Sequence, residues 1–142
     1  MPPDITPVIE DCRGTGEILA LVGNKWSVFI VGLLSRRTMR FNELRRGMEG
    51  VSQRMLSLTL KGLERDGLVK RTIYPTVPPR VDYELTDMGR SLHPTLQALS
   101  AWVHDNRRGI EAARSGYDAG DPHVGSLEDL RAIELSLTRN SA

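Results

Sequence analysis

The chain has 142 residues, 39% hydrophobic and 26% charged, and its 19 basic and 18 acidic side chains leave a formal net charge of +1. That mix suits a soluble globular protein with one core domain and an appendage. No apolar run approaches the ~18–20 residues of a membrane span, and the start MPPDITPVIEDC lacks the pattern of a secretory signal. With a single cysteine and hence no intramolecular disulfide, a cytoplasmic location without a membrane partner is expected.

Residues 1–11, with three prolines and the acids Asp4, Glu10 and Asp11, read as an arm. A helical pattern then runs from about Gly14 to Val22. Gly23-Asn24 forms a turn, and Asn24 is a suitable N-cap for a second helix reaching Leu34. Its residues Trp26, Phe29, Ile30, Leu33 and Leu34 recur at the spacing of a buried stripe. Met39–Phe41 predicts a short strand bridge, after which Asn42 caps a two-turn helix over Glu43–Met48. Glu49-Gly50-Val51 is a turn, Ser52 is the next N-cap, and about fourteen helical residues follow. Leu56, Leu60 and Leu63 lie on one face of that helix, and Gly67 occupies the left-handed position that ends it. Val69–Tyr74 and Arg80–Thr86 are β-rich, separated by Pro75-Thr76-Val77-Pro78-Pro79, which predicts a projecting loop.

Thr86 opens a long helix to about Asn106, with Met88, Leu92, Leu96, Leu99 and Val103 as its apolar stripe and Trp102 beside it. Pro94 is expected to kink this helix near Arg90 without ending it. Arg114–Ser126 is rich in Gly, Asp and Ser and reads as a linker, followed by a short helix over Leu127–Leu137. From Gly109 onward three basic residues face six acids, a net −3, and this tail is not expected to touch DNA.

Charge is segregated along the chain. Residues 36–80 hold eleven Lys/Arg against four acids, a net +7. A concentrated basic surface attracts a polyanion even when the whole protein is nearly neutral. The paired helices, the Gly67 stop and the proline-edged hairpin define a winged helix-turn-helix, mainly α with a small β-hairpin wing. In such a unit the second helix enters the major groove while the first crosses the backbone. Ser52, Gln53 and Arg54 open that second helix; Gln suits an adenine edge and Arg a guanine edge. With the leucines turned inward, Gln53, Ser57 and Lys61 align at i, i+4, i+8 as a reading stripe beside Arg54. Leu58 fits either a thymine methyl contact or packing. Arg80, beyond Pro78-Pro79, suits a phosphate or a narrow minor groove. Lys70, Arg71, Arg45 and Arg46 are expected on phosphates, which give affinity without sequence information.

The segments GNKWSVFIVGLL (23–34), RFNELRRGMEGVSQRMLSLTLKGLERDGLVKR (40–71) and YPTVPPRVDYELTDMGRSL (74–92), with Cys12 and Ala101-Trp102, resemble the HxlR-type transcriptional regulators, which share the architecture of the MarR regulators. The likeness spans about Cys12 to Asn106. It implies a regulator that binds palindromic double-stranded DNA as a homodimer, and a repressor is expected. It also implies dimerisation through helices at 12–22 and 88–106, and so a domain over 12–107 between the arm (1–11) and a linker with a short helix (108–142). Some members use the cysteine at the position of Cys12 as a sensor of oxidants or electrophiles. Arg13 and a nearby helix start favour its thiolate, whereas Glu10 and Asp11 oppose it. The other reading of Cys12 is an inert small apolar residue. Arg13 stands where the family often has proline.

An enzyme finds no support. His93, His104 and His123 lack metal-ligand spacing, and no phosphate-binding or nucleophile motif occurs. No cofactor is expected. Two alternatives to a thiol-sensing regulator remain. One is a regulator with a small-molecule effector, Trp26, Phe29 and Trp102 either lining its pocket or simply packing in the core. The other is a protein-interaction module, which would need no basic reading face.

Overall fold

The computed structural model describes residues 12–120. The arm at 1–11, His123 and the helix expected over Leu127–Leu137 lie outside the described residues. The chain divides into two compact units, Met1–Leu99 and Ser100–Ala142, and the first contains the core and the surface treated below.

Helix α1 (Cys12–Val22) turns at Gly23 into α2 (Lys25–Leu34). Asn24 caps α2, its Oδ1 accepting from the Trp26 backbone N–H at 2.9 Å. The buried face of α2 is Ser27, Ile30, Val31 and Leu34, while Phe29 stays 49% exposed and Trp26 half-buried. The expected stripe is therefore rotated. The segment KWSVFIVGLL is apolar on nearly every side, so spacing alone cannot choose the inward face; packing against the following helices does.

Strand β1 (Met39–Arg40) leads directly into α3 (Phe41–Gly47). The helix begins at Phe41, and its N-cap is Arg40 rather than Asn42. Arg40 is extended (φ −86°, ψ 163°), and its backbone N–H donates to Glu43 Oε1 at 3.2 Å. A strand residue thus supplies the cap geometry, with the third helical residue reaching back to it. After the turn at Gly50, whose φ is +82°, α4 (Gln53–Arg65) follows. Ser52 caps α4 as expected, accepting from the Met55 N–H at 3.0 Å. Gly67 (φ +76°) ends it, with Leu68 N–H returning to Leu63 O at 2.9 Å.

Strands β2 (Val69–Tyr74) and β3 (Arg80–Leu85) form the wing, in register from Val69 opposite Leu85 to Tyr74 opposite Arg80. β1 pairs antiparallel with the other side of β3, giving the sheet order β1-β3-β2. Thr86 then joins the sheet to α5 (Asp87–Gly120): its hydroxyl donates to Gly67 O and accepts from Gly89 N–H at 3.1 Å. Gly89 is required there, because a Cβ would lie 2.1 Å from the Leu68 carbonyl oxygen.

Helix α5 runs on through Pro94 and past Asn106 to Gly120. Arg114–Gly120 is therefore helical, where its glycines and aspartate predict a linker. Ala112, Ala113, Arg114 and Ala119 are good helix formers, and Arg107 pairs with Glu111 one turn on at 2.8 Å. Together these carry Gly109 and Gly116, each of which costs a helix about 1 kcal/mol. In the first unit Ile30, Val31, Leu34, Leu44, Met48, Leu56, Leu60, Leu63, Val69, Leu85 and Leu96 form one buried cluster. It fixes α3 and α4 against each other and against the sheet.

Candidate nucleic-acid interface

The inward rotation of α4 is set by Leu56, Thr59, Leu60 and Leu63. The Thr59 hydroxyl satisfies itself on the Met55 carbonyl at 2.7 Å. That leaves Gln53, Arg54 and Lys61 exposed and Ser57 half-buried. Helical geometry places Arg54, Leu58, Lys61 and Arg65 at the centre of the outward face, with Gln53 and Ser57 on its flank. Leu58 is 53% exposed, so packing among the described residues does not account for it. Arg65 is a member of this face that spacing from Gln53 does not pick out. Arg45 and Arg46, in the last turn of α3, are both exposed.

The two basic residues of β2 do not act as a pair. Successive strand residues leave by opposite faces. Lys70 faces Glu84, with Nζ 3.9 Å from the carboxylate, whereas Arg71 lies on the side of Tyr83. The Tyr83 hydroxyl is shifted upward, mainly by burial and against the pull of Arg71.

Arg80 is held from two sides. Its Nε and Nη2 donate to the two oxygens of Asp82 at 3.0 and 2.9 Å, and its guanidinium lies 5.3 Å from the Tyr74 ring centre. Arg40, directly across from Asp82 in the β1–β3 register, brings Nε to 4.0 Å of the same carboxylate. The hydrogen bonds from Arg80 hold Asp82 below the usual carboxylate range, and Asp82 in return raises the guanidinium. Glu43 is likewise lowered, first by its hydrogen bond from Arg37, where Nη1 approaches to 2.7 Å, and then by the Arg40 backbone N–H. A polar cavity of about 540 Å³ opens here, lined by Arg40, Asn42, Glu43 and Arg46 on one side and by Pro78, Pro79 and Arg80 on the other. Arg40, Tyr74 and Asp82 belong to the site but carry no signal of their own in the sequence. Only the i, i+2 spacing of Arg80 and Asp82 on a strand hints at the pair.

A second cavity, of about 490 Å³ and mostly apolar, is lined by Ile18, Val22, Leu68, Met88 and Leu92 with Asp66, Ser91 and Thr95. Neither Trp26 nor Phe29 lines it; they pack edge-on against each other at 6.0 Å. Cys12 is the first residue of α1, and its side chain lies outside what the structure describes. Among the described residues no group of three His, Cys, Asp or Glu is placed to hold a metal ion, and no single helix is long and apolar enough to cross a membrane.

These features agree with known proteins. The family model of the HxlR-like helix-turn-helix matches residues 21–111. The HTH-type transcriptional regulator YybR of Bacillus subtilis (strain 168) is 41% identical over 97 residues, covering 68% of this chain and 78% of YybR. Among solved structures, the transcriptional regulator YtfH from Salmonella typhimurium superposes with a TM-score of 0.68 at 40% identity, covering 75% of this chain and 94% of that one. The redox regulator HypR in its reduced form gives a TM-score of 0.64 at 38% identity, covering 70% and 99%. With its two-helix reading unit, its wing and this match over most of the described residues, the chain belongs to the HxlR-like helix-turn-helix family of DNA-binding transcriptional regulators.

Proposed function

We propose that this regulator binds a palindromic operator in double-stranded DNA as a homodimer and acts as a repressor. The observation that carries the reading is the outward face of α4, where Arg54, Lys61 and Arg65 stand exposed with Gln53 on the flank, together with the exposed Arg80 of the wing. Gln53 and Arg54 read base edges; Arg45, Arg46, Lys70 and Arg71 contact phosphates; Ser52 and Ser57 support the reading turn. The exposed apolar side chains Ile18 and Leu19 on α1, and Met88 and Leu99 on α5, form the dimer surface. Two-fold symmetry then sets the two α4 helices about 34 Å apart, in successive major grooves.

The signal enters at Cys12 or at the apolar cavity beside α1. The likeness to a redox regulator supports the thiol, and the lining of Ile18, Val22, Leu68, Met88 and Leu92 supports a small apolar effector. Both places involve α1, so either signal would change how the two reading heads are spaced. Selection from random duplex DNA with the purified protein tests the function. A recovered palindrome with half-sites one helical turn apart is expected; no enriched sequence, or an asymmetric single site, would overturn the reading.

A further inference from the structure

We propose that Asp82 is a positioning residue of the wing, fixing Arg80 and Arg40 so that they hold, with Arg46, one phosphate of the DNA backbone. The proposal rests on the DNA-binding reading above and assigns one discrete phosphate site to it. The register builds the cluster. Arg40 stands across from Asp82 on β1, Tyr74 stands across from Arg80 on β2, and Arg80 lies two residues from Asp82 on β3. All four therefore share one face of the sheet.

Burial sorts the charges. The Asp82 side chain is only 10% exposed, while those of Arg80 and Arg40 are 48% and 56% exposed. The acid is thus beneath and the cations above, reaching outward. Arg80 spends Nε and one hydrogen of Nη2 on Asp82 and keeps the Nη1 edge of its fork for a ligand. The Tyr74 ring supports the same guanidinium from the side. A long side chain that is already fixed loses less freedom when it binds.

The cavity between α3 and the wing adds the Arg46 side chain and the Asn42 amide to this fork. Its other acid, Glu43, is engaged by Arg37. Three guanidiniums, of Arg40, Arg46 and Arg80, thus border the cavity, and both nearby carboxylates, Asp82 and Glu43, are already engaged by arginines, a setting for a small, hard anion. The cavity borders α3, the helix that crosses the backbone when α4 lies in the major groove, so the anion is a backbone phosphate. On this account Arg80 is a clamp on the backbone.

The sign of one substitution separates this from simple electrostatics. Removing an acid next to a DNA site ordinarily tightens binding. Asp82→Asn in the full chain is instead expected to weaken duplex binding about tenfold, and Arg80→Ala to lower the log–log salt slope by about one. Asp82→Glu should recover part of the loss. In the Arg80→Ala background, Asp82→Asn should weaken binding much less, because only the longer Arg40 contact at 4.0 Å is then left to lose. Neutral methylphosphonates placed singly along the selected duplex should reveal one position per half-site that costs the wild type clearly more affinity than it costs Arg80→Ala. Asp82→Asn binding as tightly as wild type, or weakening both backgrounds equally while thermal unfolding is unchanged, would overturn the proposal. If wild type shows no salt-sensitive duplex binding at all, the DNA-binding reading itself fails, and the two failures are told apart.

Discussion

Ser52 shows how much a single oxygen fixes at this site. Its hydroxyl satisfies the Met55 N–H at the turn of α4 that carries Gln53 and Arg54, so it sets the start of the helix end proposed to read bases. Ser52→Ala is expected to lower stability by about 1 kcal/mol, measured by urea unfolding, while Ser52→Asp retains most of it. Asp82 makes a second prediction through pH. Its folded pKa lies below the unfolded value, so its stabilisation is present above the ordinary aspartate range and is lost as pH falls through the folded value. Acid unfolding should therefore be shallower below pH ~4 for Asp82→Asn than for wild type, because the variant has no carboxylate to protonate there. A parallel acid limb in the two proteins would refute the pairing. The caps at Asn24 and Ser52 and the stop at Gly67 were legible because each is a local rule about backbone groups within one turn. The Asp82 cluster was not legible, because its partners come from three strands whose register no local rule supplies.

Among the elements, the inward face of α4 was readable and that of α2 was not, for one physical reason. α4 concentrates its leucines on one side, with Leu58 as the exception, so its period identifies the buried Leu56, Leu60 and Leu63 and hence the outward face. α2 is apolar nearly all round, and its neighbours chose Ser27 and Val31 over Phe29. The start of α3 was displaced because pairing of β1 with β3 holds Arg40 extended and makes it the cap. The end of α5 was displaced because glycine content is a weak brake on a helix otherwise built of good formers. The rotation of α4 carries a prediction of its own. Gln53 lies on the flank of the outward face at its leading end, where a helix in the groove first meets base edges. Gln53→Ala should cost ~1–3 kcal/mol at one base position of the selected operator and leave binding to unrelated DNA unchanged. An equal loss on all sequences would move Gln53 from base reading to backbone contact.

For the whole molecule, the proposed function assigns the net +7 of residues 36–80 to touching DNA and the exposed apolar residues on α1 and α5 to pairing copies. Cys12 begins α1, on the pairing side of that division. If it senses oxidants, Cys12→Ser protein should stay on its operator when diamide is added, while wild type changes affinity; release of both alike would remove the thiol from the mechanism. Pairing itself is open to a sharper test. Ile18 is 56% and Leu99 50% exposed, so replacing either costs the isolated fold little, whereas a charge at a two-fold contact is buried twice. Leu99→Glu should shift sedimentation from dimer to monomer with the thermal transition moved only slightly. Loss of the second half-site removes the effective concentration that joins the two heads, so operator affinity should fall by about 10²–10⁴. Binding to a single half-site should stay the same, since α4, the wing and the Arg80 cluster are untouched. A Leu99→Glu protein that remains dimeric and binds the full operator would place the pairing surface elsewhere.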